Sequence, residues 1–178
     1  GATFQLNARV AMSTDSFVVS PIFFAGGNIG DLAVNGTVND LAMCGAIPKY
    51  LSLSFILEEG LKMEEFWEVL VAIKTACEYA GVQVVTGDTK VVERGKGDKL
   101  FINTTGIGEV HPQASIDPLR VITGDKIILS GPPARHGVAI MSLRQGLEFE
   151  TSITSDTRPL HKIILQLLDT FGAEIHLL

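Results

Sequence analysis

Three aspartates stand beside apolar runs, flanked by glycine or small polar residues. They are Asp15, Asp40 and Asp88. A hard cation such as Mg²⁺ takes few protein oxygens and completes its shell with phosphate oxygens, so three such carboxylates on different elements predict a magnesium–nucleotide site. Taken singly, an aspartate of this kind is more often a cap, a turn residue or a solvated charge, and that alternative stays open.

The middle aspartate lies in a run with helical periodicity. Residues 29–45 predict a helix whose apolar side chains share one face that would lie on a sheet, while Asp40 points the other way. Small residues surround Asp40, so a ligand could approach its carboxylate closely, although Asp40 could equally lie on the solvated side of an amphipathic helix. The apolar face comprises Val34, Val38, Leu41, Ala42 and Gly45, and the small residues are Ala33, Gly36, Thr37 and Cys44.

The other two aspartates are predicted at the ends of strands. Asp15 would lie in a turn over residues 14–16, between short strands at 7–13 and 17–20. Asp88 would follow a strand at 82–86, the position where active groups of α/β sheets often lie. Its neighbour Lys90 could contact a phosphate, act as a base or pair with a nearby acid. The glycine-rich loop before residue 29 either offers backbone N–H groups to an anion or only turns the chain; it lacks a Walker motif.

Alternating strands and helices place the chain in the α/β class. Strands are predicted at residues 50–57 and 100–109, and the strongest helix at 62–80, with Trp67 in its core-facing stripe. A first domain would cover residues 1–117. A second, at 118–178, would contain a buried strand at 126–130, helices at 138–145 and 160–171, the latter capped by residues 155–159, and the opening of a strand at 174–178. The abrupt start and the short second domain lead us to expect missing sequence at both ends.

Composition narrows the classes of function. The net charge is −6 and the basic residues are scattered, which argues against nucleic-acid binding. The mean hydropathy is +0.31, yet the sequence contains neither an apolar run long enough to cross a bilayer nor a signal peptide, so we expect a soluble cytoplasmic protein. Cys44 and Cys77 lack the spacing of a zinc site and are expected to be buried thiols rather than a disulfide.

Four motifs resemble one known family. Residues 14–17, 36–46, 86–92 and 130–137 are closely similar to the HypE family of hydrogenase expression/formation proteins, in the PurM-like superfamily of aminoimidazole ribonucleotide (AIR) synthetase, selenophosphate synthetase and thiamine-monophosphate kinase. Asn-Asp-Leu-Ala and Gly-Asp-Thr are shared across the superfamily, whereas Asp-Ser-Phe-Val-Val-Ser and Gly-Asp-Thr-Lys-Val-Val point more narrowly to HypE.

The resemblance implies a fold and an activity. The fold would be a PurM-like α/β (α+β) domain whose mixed sheet pairs with that of a second subunit into a dimeric barrel, with ATP at the dimer interface and a C-terminal α/β domain following. The activity would be that of an ATP-dependent carbamoyl dehydratase. HypF would carbamoylate a C-terminal cysteine, ATP-dependent dehydration would turn the thiocarboxamide into a thiocyanate, and HypC–HypD would pass the cyanide to the iron of [NiFe] hydrogenase.

The resemblance also assigns site residues. Contacts to Mg²⁺ would come from Asp15, Asp40 and Asp88, and Lys90 matches a lysine associated with proton removal from the carbamoylated thiol. The family's glycine- and aspartate-rich N-terminal segment and its acceptor cysteine are missing, so an inactive fragment is expected. The alternatives are a small-molecule kinase or synthetase of the superfamily, or a non-catalytic dimerisation domain. The residues predicted to contact ATP are Asp15, Asn39, Asp40, Gly87, Asp88 and Thr89.

Overall fold

A four-stranded mixed sheet with two helices on one face occupies the first two thirds of the chain. The structure, a computed structural model, describes residues 1–3, 5, 9–146 and 153–178. The predicted α/β fold class is therefore confirmed. The elements are β1 (Val10–Phe17), β2 (Phe23–Phe24), β3 (Gly27–Asn28), α1 (Ile29–Met43), β4 (Ala46–Glu58), α2 (Met63–Ala80), β5 (Gln83–Val92), β6 (Leu100–Val110), α3 (Arg135–Gln145) and α4 (His161–Phe171), with 3₁₀ turns at Pro118–Arg120 and Gly172–Glu174.

The strands of the large sheet run in the order β1-β6-β4-β5. β4 and β5 are parallel and joined through α2, whereas β6 is antiparallel to both of its neighbours, β1 and β4. A parallel pair needs such a crossover, and a helix is the usual one. β1 and β5 are consequently the two edge strands, and each edge carries residues that the sequence marked as candidate ligands.

The predicted helix at residues 29–45 is confirmed as α1, which ends at Met43. Asn28 caps it and forms a capping box with Asp31, so two free N–H groups of the first turn are satisfied. The predicted apolar face is buried. A Cβ on Gly106 of β6 would lie 2.7 Å from Thr37 and 2.8 Å from Leu41, so glycine is needed there for α1 to pack directly on the sheet.

The small residues near Asp40 are not the open ligand face that their size suggested. Ala33 and Thr37 are fully buried, and the Thr37 hydroxyl is 2.5 Å from the hydroxyl of Thr104 on β6. The prediction is wrong for these two because their small size serves the close packing of α1 on the sheet rather than access for a ligand.

The prediction that the whole apolar stripe of α2 is core is wrong for its first turns. Met63 and Trp67 are 70% and 67% exposed, whereas Val69 and Ile73 are buried. The reason is geometric: α2 packs beside α1, so the face around Val69 turns inward and the Trp67 side lies outside that contact.

The N-terminal turn is also wrong. Residues 14–16 pair continuously with β6, from Thr14 opposite Thr105 to Ser16 opposite Asn103, so one strand, β1, replaces the predicted strand–turn–strand. Residues 18–20 are not in a strand, and part of the predicted strand at 7–13 lies outside the described residues. Small polar residues are typical of a turn in sequence, but here the backbone of β6 supplies their hydrogen-bond partners.

No helix in the described ranges is long and apolar enough to cross a membrane.

Beyond residue 110 the chain packs back on α1. α4 follows the predicted helix, and a second apolar cluster joins Ala42 of α1 to Ile164 and Leu168 of α4. Residues 126–130 are not the predicted buried strand: Ile127 and Ile128 are 92% and 87% exposed. Residues 174–178 do not form a strand either; they continue from a 3₁₀ turn. Neither segment pairs with a described strand.

Candidate functional site

Asp15 and Asp40 lie on the same side of the sheet, at its β1 edge. Ser13 and Asp15 share the face of β1 that carries the buried Phe17, because side chains alternate along a strand. The Ser13 hydroxyl donates a hydrogen bond to Oδ2 of Asp40 across 2.8 Å, and the backbone N–H of Ser16 donates to Oδ1 of Asp15 across 2.7 Å. Both aspartates are exposed, so the structure brings two predicted ligands into one accessible place.

Asp88 lies at the other edge of the same sheet. Asp15 is paired with Thr104, Thr104 with Leu53, and Leu53 with Gly87. Three strand spacings of about 4.8 Å put the backbones at the two ends of this row roughly 14 Å apart. Asp88 is the next residue on β5, so its side chain points to the opposite face from Asp15. Within one chain the three predicted carboxylates do not meet, and the described residues contain no cluster of three or more acidic, histidine or cysteine side chains suited to a metal.

The Gly-Asp-Thr-Lys motif lies inside β5 rather than after it, so the predicted position at a strand end is wrong. A Cβ on Gly87 would lie 2.1 Å from the carbonyl oxygen of Leu53, which gives this glycine a packing reason independent of any ligand. Thr89 is exposed and pairs with Phe55 of β4. The motif continues the parallel ladder because its polar side chains occupy exposed positions of an edge strand.

Lys90 and Asp88 form an exposed ion pair, with Nζ 3.0 Å from Oδ2. The hydrogen bond from Lys90, aided by the backbone N–H of Thr89, holds the pKa of Asp88 below its ordinary value. Of the three roles left open for it, the pairing with a nearby acid is the one present here.

Asn39 holds two parts of the chain together. Its Oδ1 accepts a hydrogen bond from the backbone N–H of Leu160 across 2.7 Å, and its Nδ2 donates to the carbonyl of Arg158 across 3.0 Å. The predicted cap of the last helix from residues 155–159 is therefore replaced by a side chain of α1, 121 residues earlier. Asn39 thus fixes the start of α4 against α1.

A cleft of about 860 Å³ that the motifs do not predict opens between α1 and residues 128–136 and 154–160. Asn35, one turn before Asn39, lines it and is only 6% exposed; its Oδ1 has no hydrogen-bond partner among the described residues. Opposite lie two exposed arginines and His136, whose pKa is lowered by burial. The spacing of two asparagines four residues apart on one helix was the available signal. The arginines are Arg135 and Arg158.

The fold and the site together describe an α/β domain in which a mixed sheet is covered by helices on one face and carries exposed carboxylates at its edges. Residues 2–110 match the model of the family described as AIR synthase related protein, N-terminal domain. The chain belongs to this family. The family match ends at the last residue of β6.

Within the family the predicted resemblance to HypE is confirmed. The chain is 53% identical over 161 residues to carbamoyl dehydratase HypE of Cupriavidus necator, covering 90% of this chain and 46% of that protein. A solved structure of hydrogenase maturation protein HypE in complex with ATP matches with a TM-score of 0.94 and 50% identity, over 99% of this chain and 52% of that chain. A HypE–HypF complex matches with a TM-score of 0.91 and 45% identity, over 94% and 55%. The chain thus spans about half the length of the curated relatives it matches.

Proposed function

We propose that this protein acts in [NiFe] hydrogenase maturation as part of an ATP-dependent carbamoyl dehydratase of the HypE type. The observation that carries the proposal is the match to HypE in complex with ATP, at a TM-score of 0.94 and 50% identity. The chemistry would be dehydration of a carbamoylated cysteine, a thiocarboxamide, to a thiocyanate, the source of the iron-bound cyanide. ATP would supply the free energy for removing water.

Asp15 and Asp40 are the residues proposed to hold Mg²⁺ and the ATP phosphates. Their carboxylates are exposed on one side of β1 and α1, and carboxylate oxygens with phosphate oxygens are the ligands that Mg²⁺ prefers. Two protein ligands leave coordination positions for phosphate and water. The residues present therefore fit a magnesium–nucleotide complex.

Asp88 would join the same site from a second subunit. It is separated from Asp15 by two strands and lies on the other face of the sheet, so a homodimer offers a route by which it reaches a nucleotide held at Asp15 and Asp40. The sheet face away from α1 supports such a dimer, since it leaves Met12 and Ile56 69% and 41% exposed. Gly87 and Thr89, which lie on the face of β5 opposite to Asp88, are also proposed to contact the phosphates, from the β5 edge of the sheet.

Mixed dimers test the shared site. Subunits carrying Asp40→Asn are refolded with subunits carrying Asp88→Asn, and Mg-ATP stoichiometry is measured by calorimetry. Each variant alone should bind poorly, whereas random mixing should restore about a quarter of the sites, because half the dimers are mixed and each has one intact site. If mixing restores nothing, the shared site is wrong. Sedimentation that shows only monomer at tens of micromolar, an order-of-magnitude threshold, also contradicts it.

Lys90 is proposed as the residue that removes a proton from the carbamoylated cysteine. A lysine in water titrates at about 10.4, so this role requires that the pairing with Asp88 be released when the site assembles. Lys90→Arg keeps a cation that can still pair with Asp88 but cannot act as a base. In a protein with the acceptor cysteine, that variant should accept carbamoyl and bind Mg-ATP normally yet form no thiocyanate. Normal dehydration would leave Lys90 as an ion-pair partner only.

The remaining assignments depend on the same family match. HypF is the proposed carbamoyl donor, supported by the HypE–HypF complex of a 45% identical relative. HypC–HypD would receive the cyanide. The cytoplasm is the proposed compartment, in keeping with two cysteines that both lie in the described part and form no disulfide. We also propose the domain division at residue 117, shortly after the end of the family match.

Nucleotide titration separates a non-catalytic dimerisation domain from the two enzymatic functions, and a carbamoylated-thiol probe then separates those two functions from each other. A non-catalytic dimerisation domain should bind no ATP with or without Mg²⁺. A small-molecule kinase or synthetase should bind Mg-ATP but show no preference for a carbamoylated thiol. The HypE-type function requires both properties.

A further inference from the structure

The cleft between α1 and residues 128–136 and 154–160 is lined by a buried polar atom that has no hydrogen-bond partner among the described residues. Asn35 is only 6% exposed, and its Oδ1 accepts no hydrogen bond from the described residues. A buried acceptor without a hydrogen bond costs free energy, so native proteins rarely retain one without a ligand or a water. Asn35 lines the cleft, which makes the cleft the place from which a partner would come.

The unsatisfied atom restricts the chemistry of that partner. An Oδ1 accepts hydrogen bonds, so the ligand must present an N–H or O–H group; an ionised phosphate or carboxylate presents only acceptors. A primary carboxamide offers an NH₂ group and a carbonyl oxygen side by side. It can therefore donate to Oδ1 of Asn35 and accept from Nδ2 at once, and it fits the asparagine in either orientation of its amide.

Of the two asparagines that line the cleft, Asn35 rather than Asn39 can bind a ligand through its side-chain amide. Asn39 lines the same cleft, but both ends of its amide are bonded to the backbone of residues 158–160. Among the described residues Oδ1 of Asn35 has no such bond. Asn39 therefore fixes the wall of the cleft, whereas the amide of Asn35 lines it.

Positive charge lies across the cleft. Nη2 of Arg135 and Nη2 of Arg158 each make one long contact of 3.4 Å, to the Thr154 hydroxyl and the Ser130 carbonyl. A guanidinium carries five N–H donors, so both retain donors for an anion. The carboxylate of the exposed Asp156 accepts a hydrogen bond from the backbone N–H of His136 across 3.0 Å. A cleft of about 860 Å³ with a net positive wall has room for a small ligand that also carries a carboxylate.

We propose that Asn35 recognises the carboxamide of an S-carbamoylated C-terminal cysteine bound in this cleft, with Arg135 and Arg158 facing its carboxylate. This inference rests on the proposed dehydratase function and assigns it a specificity-determining residue. Asn35 distinguishes the carbamoylated thiol from the free one because only the former carries an NH₂ group that satisfies the buried acceptor. It takes no part in holding Mg-ATP.

Two matched probes test the inference. N-acetyl-S-carbamoyl-cysteine and N-acetyl-S-acetyl-cysteine differ only in an NH₂ group in place of a methyl group. We expect the unmodified protein to bind the carbamoyl probe at least roughly tenfold more tightly, since the acetyl probe leaves Oδ1 of Asn35 unsatisfied. Asn35→Leu should abolish the difference, and Asn35→Asp, which keeps an acceptor, should retain part of it.

Controls separate this result from folding and from the proposed function. Melting temperature identifies a misfolded variant; if Asn35→Leu is misfolded, Asn35→Ala, which also removes the acceptor, carries the test and should likewise abolish the difference. Unchanged discrimination in a folded Asn35→Leu protein overturns the inference and leaves Asn35 with bound water only. Equal loss of Mg-ATP affinity in that variant also overturns it, because the contact would then belong to the nucleotide. Probe discrimination without any Mg-ATP binding supports Asn35 while rejecting the dehydratase, whereas Mg-ATP binding without discrimination rejects Asn35 alone.

Discussion

Ser13 on β1 donates a hydrogen bond to Asp40 on α1, with Oγ 2.8 Å from Oδ2. This contact ties the edge of the sheet to the helix that carries the Asn-Asp-Leu-Ala motif. It also orients the Asp40 carboxylate toward the side of β1 where Asp15 lies. A metal-binding role for this pair therefore depends on β1 and α1 staying in register.

Asp40→Asn should weaken Mg-ATP binding without unfolding the protein. The amide oxygen can still accept from Ser13, so the contact between β1 and α1 is preserved. Loss of the negative charge should reduce Mg-ATP affinity by roughly tenfold or more, measured by calorimetry with and without Mg²⁺. Glu68→Gln, a change at an exposed acid on α2, is the control and should have no effect. Unchanged affinity for Asp40→Asn would assign Asp40 to the solvated helix face.

Gly87→Ala should destabilise the fold whether or not nucleotide is present. The added Cβ would lie 2.1 Å from the Leu53 carbonyl oxygen, so β4 and β5 must separate. We expect a loss of about 2 kcal/mol or more in the free energy of unfolding, measured by urea denaturation. Gly97→Ala is the matched control because its nearest neighbour would be 3.6 Å away. Equal stability of the two variants would show that β5 has room and that Gly87 serves a ligand.

The two cysteines should differ sharply in reactivity. Burial raises the pKa of the Cys77 thiol to about 11, whereas Cys44 is exposed at the end of α1, so the prediction of two buried thiols is wrong for Cys44. Because the thiolate is the reactive form, a thiol reagent at neutral pH should label one site per native chain and two after denaturation. Cys44→Ser should leave the native protein unlabelled. Rapid labelling of that variant would mean that the α2 packing around Cys77 opens readily.

Acidification should loosen the contact of α4 with α1. His161 is 4% exposed, and burial lowers its pKa below 6.5. A histidine whose pKa is lower in the folded state contributes stability above its unfolded value, and that stability falls as the pH drops below 6.5 toward the folded value. The melting temperature should therefore fall between pH 7.5 and 5.5, and fall less in His161→Gln. An equal fall in both proteins would assign the pH dependence to other groups.

The sequence by itself determined the features that depend on neighbouring residues. The 3.6-residue period and the Asn28 cap specified α1, and the helical period of residues 62–80 specified α2, because both signals act within a few residues. The motifs around Asp15, Asp40 and Asp88 were sufficient to identify the family for the same reason. The fold class followed from the alternation of these elements.

Tertiary structure decided which partner each residue meets. Pairing with β6 makes residues 14–16 part of a strand, and pairing with β4 continues β5 through Gly87 and Asp88. In both places backbone hydrogen bonds to a distant strand outweigh a local turn preference. Packing of α2 on α1 left Trp67 outside. Only the return of the chain from residue 111 onward bonded Asn39 at both ends of its amide, because its partners lie more than a hundred positions away in sequence. The same packing left Oδ1 of Asn35, four residues earlier, without a partner among the described residues.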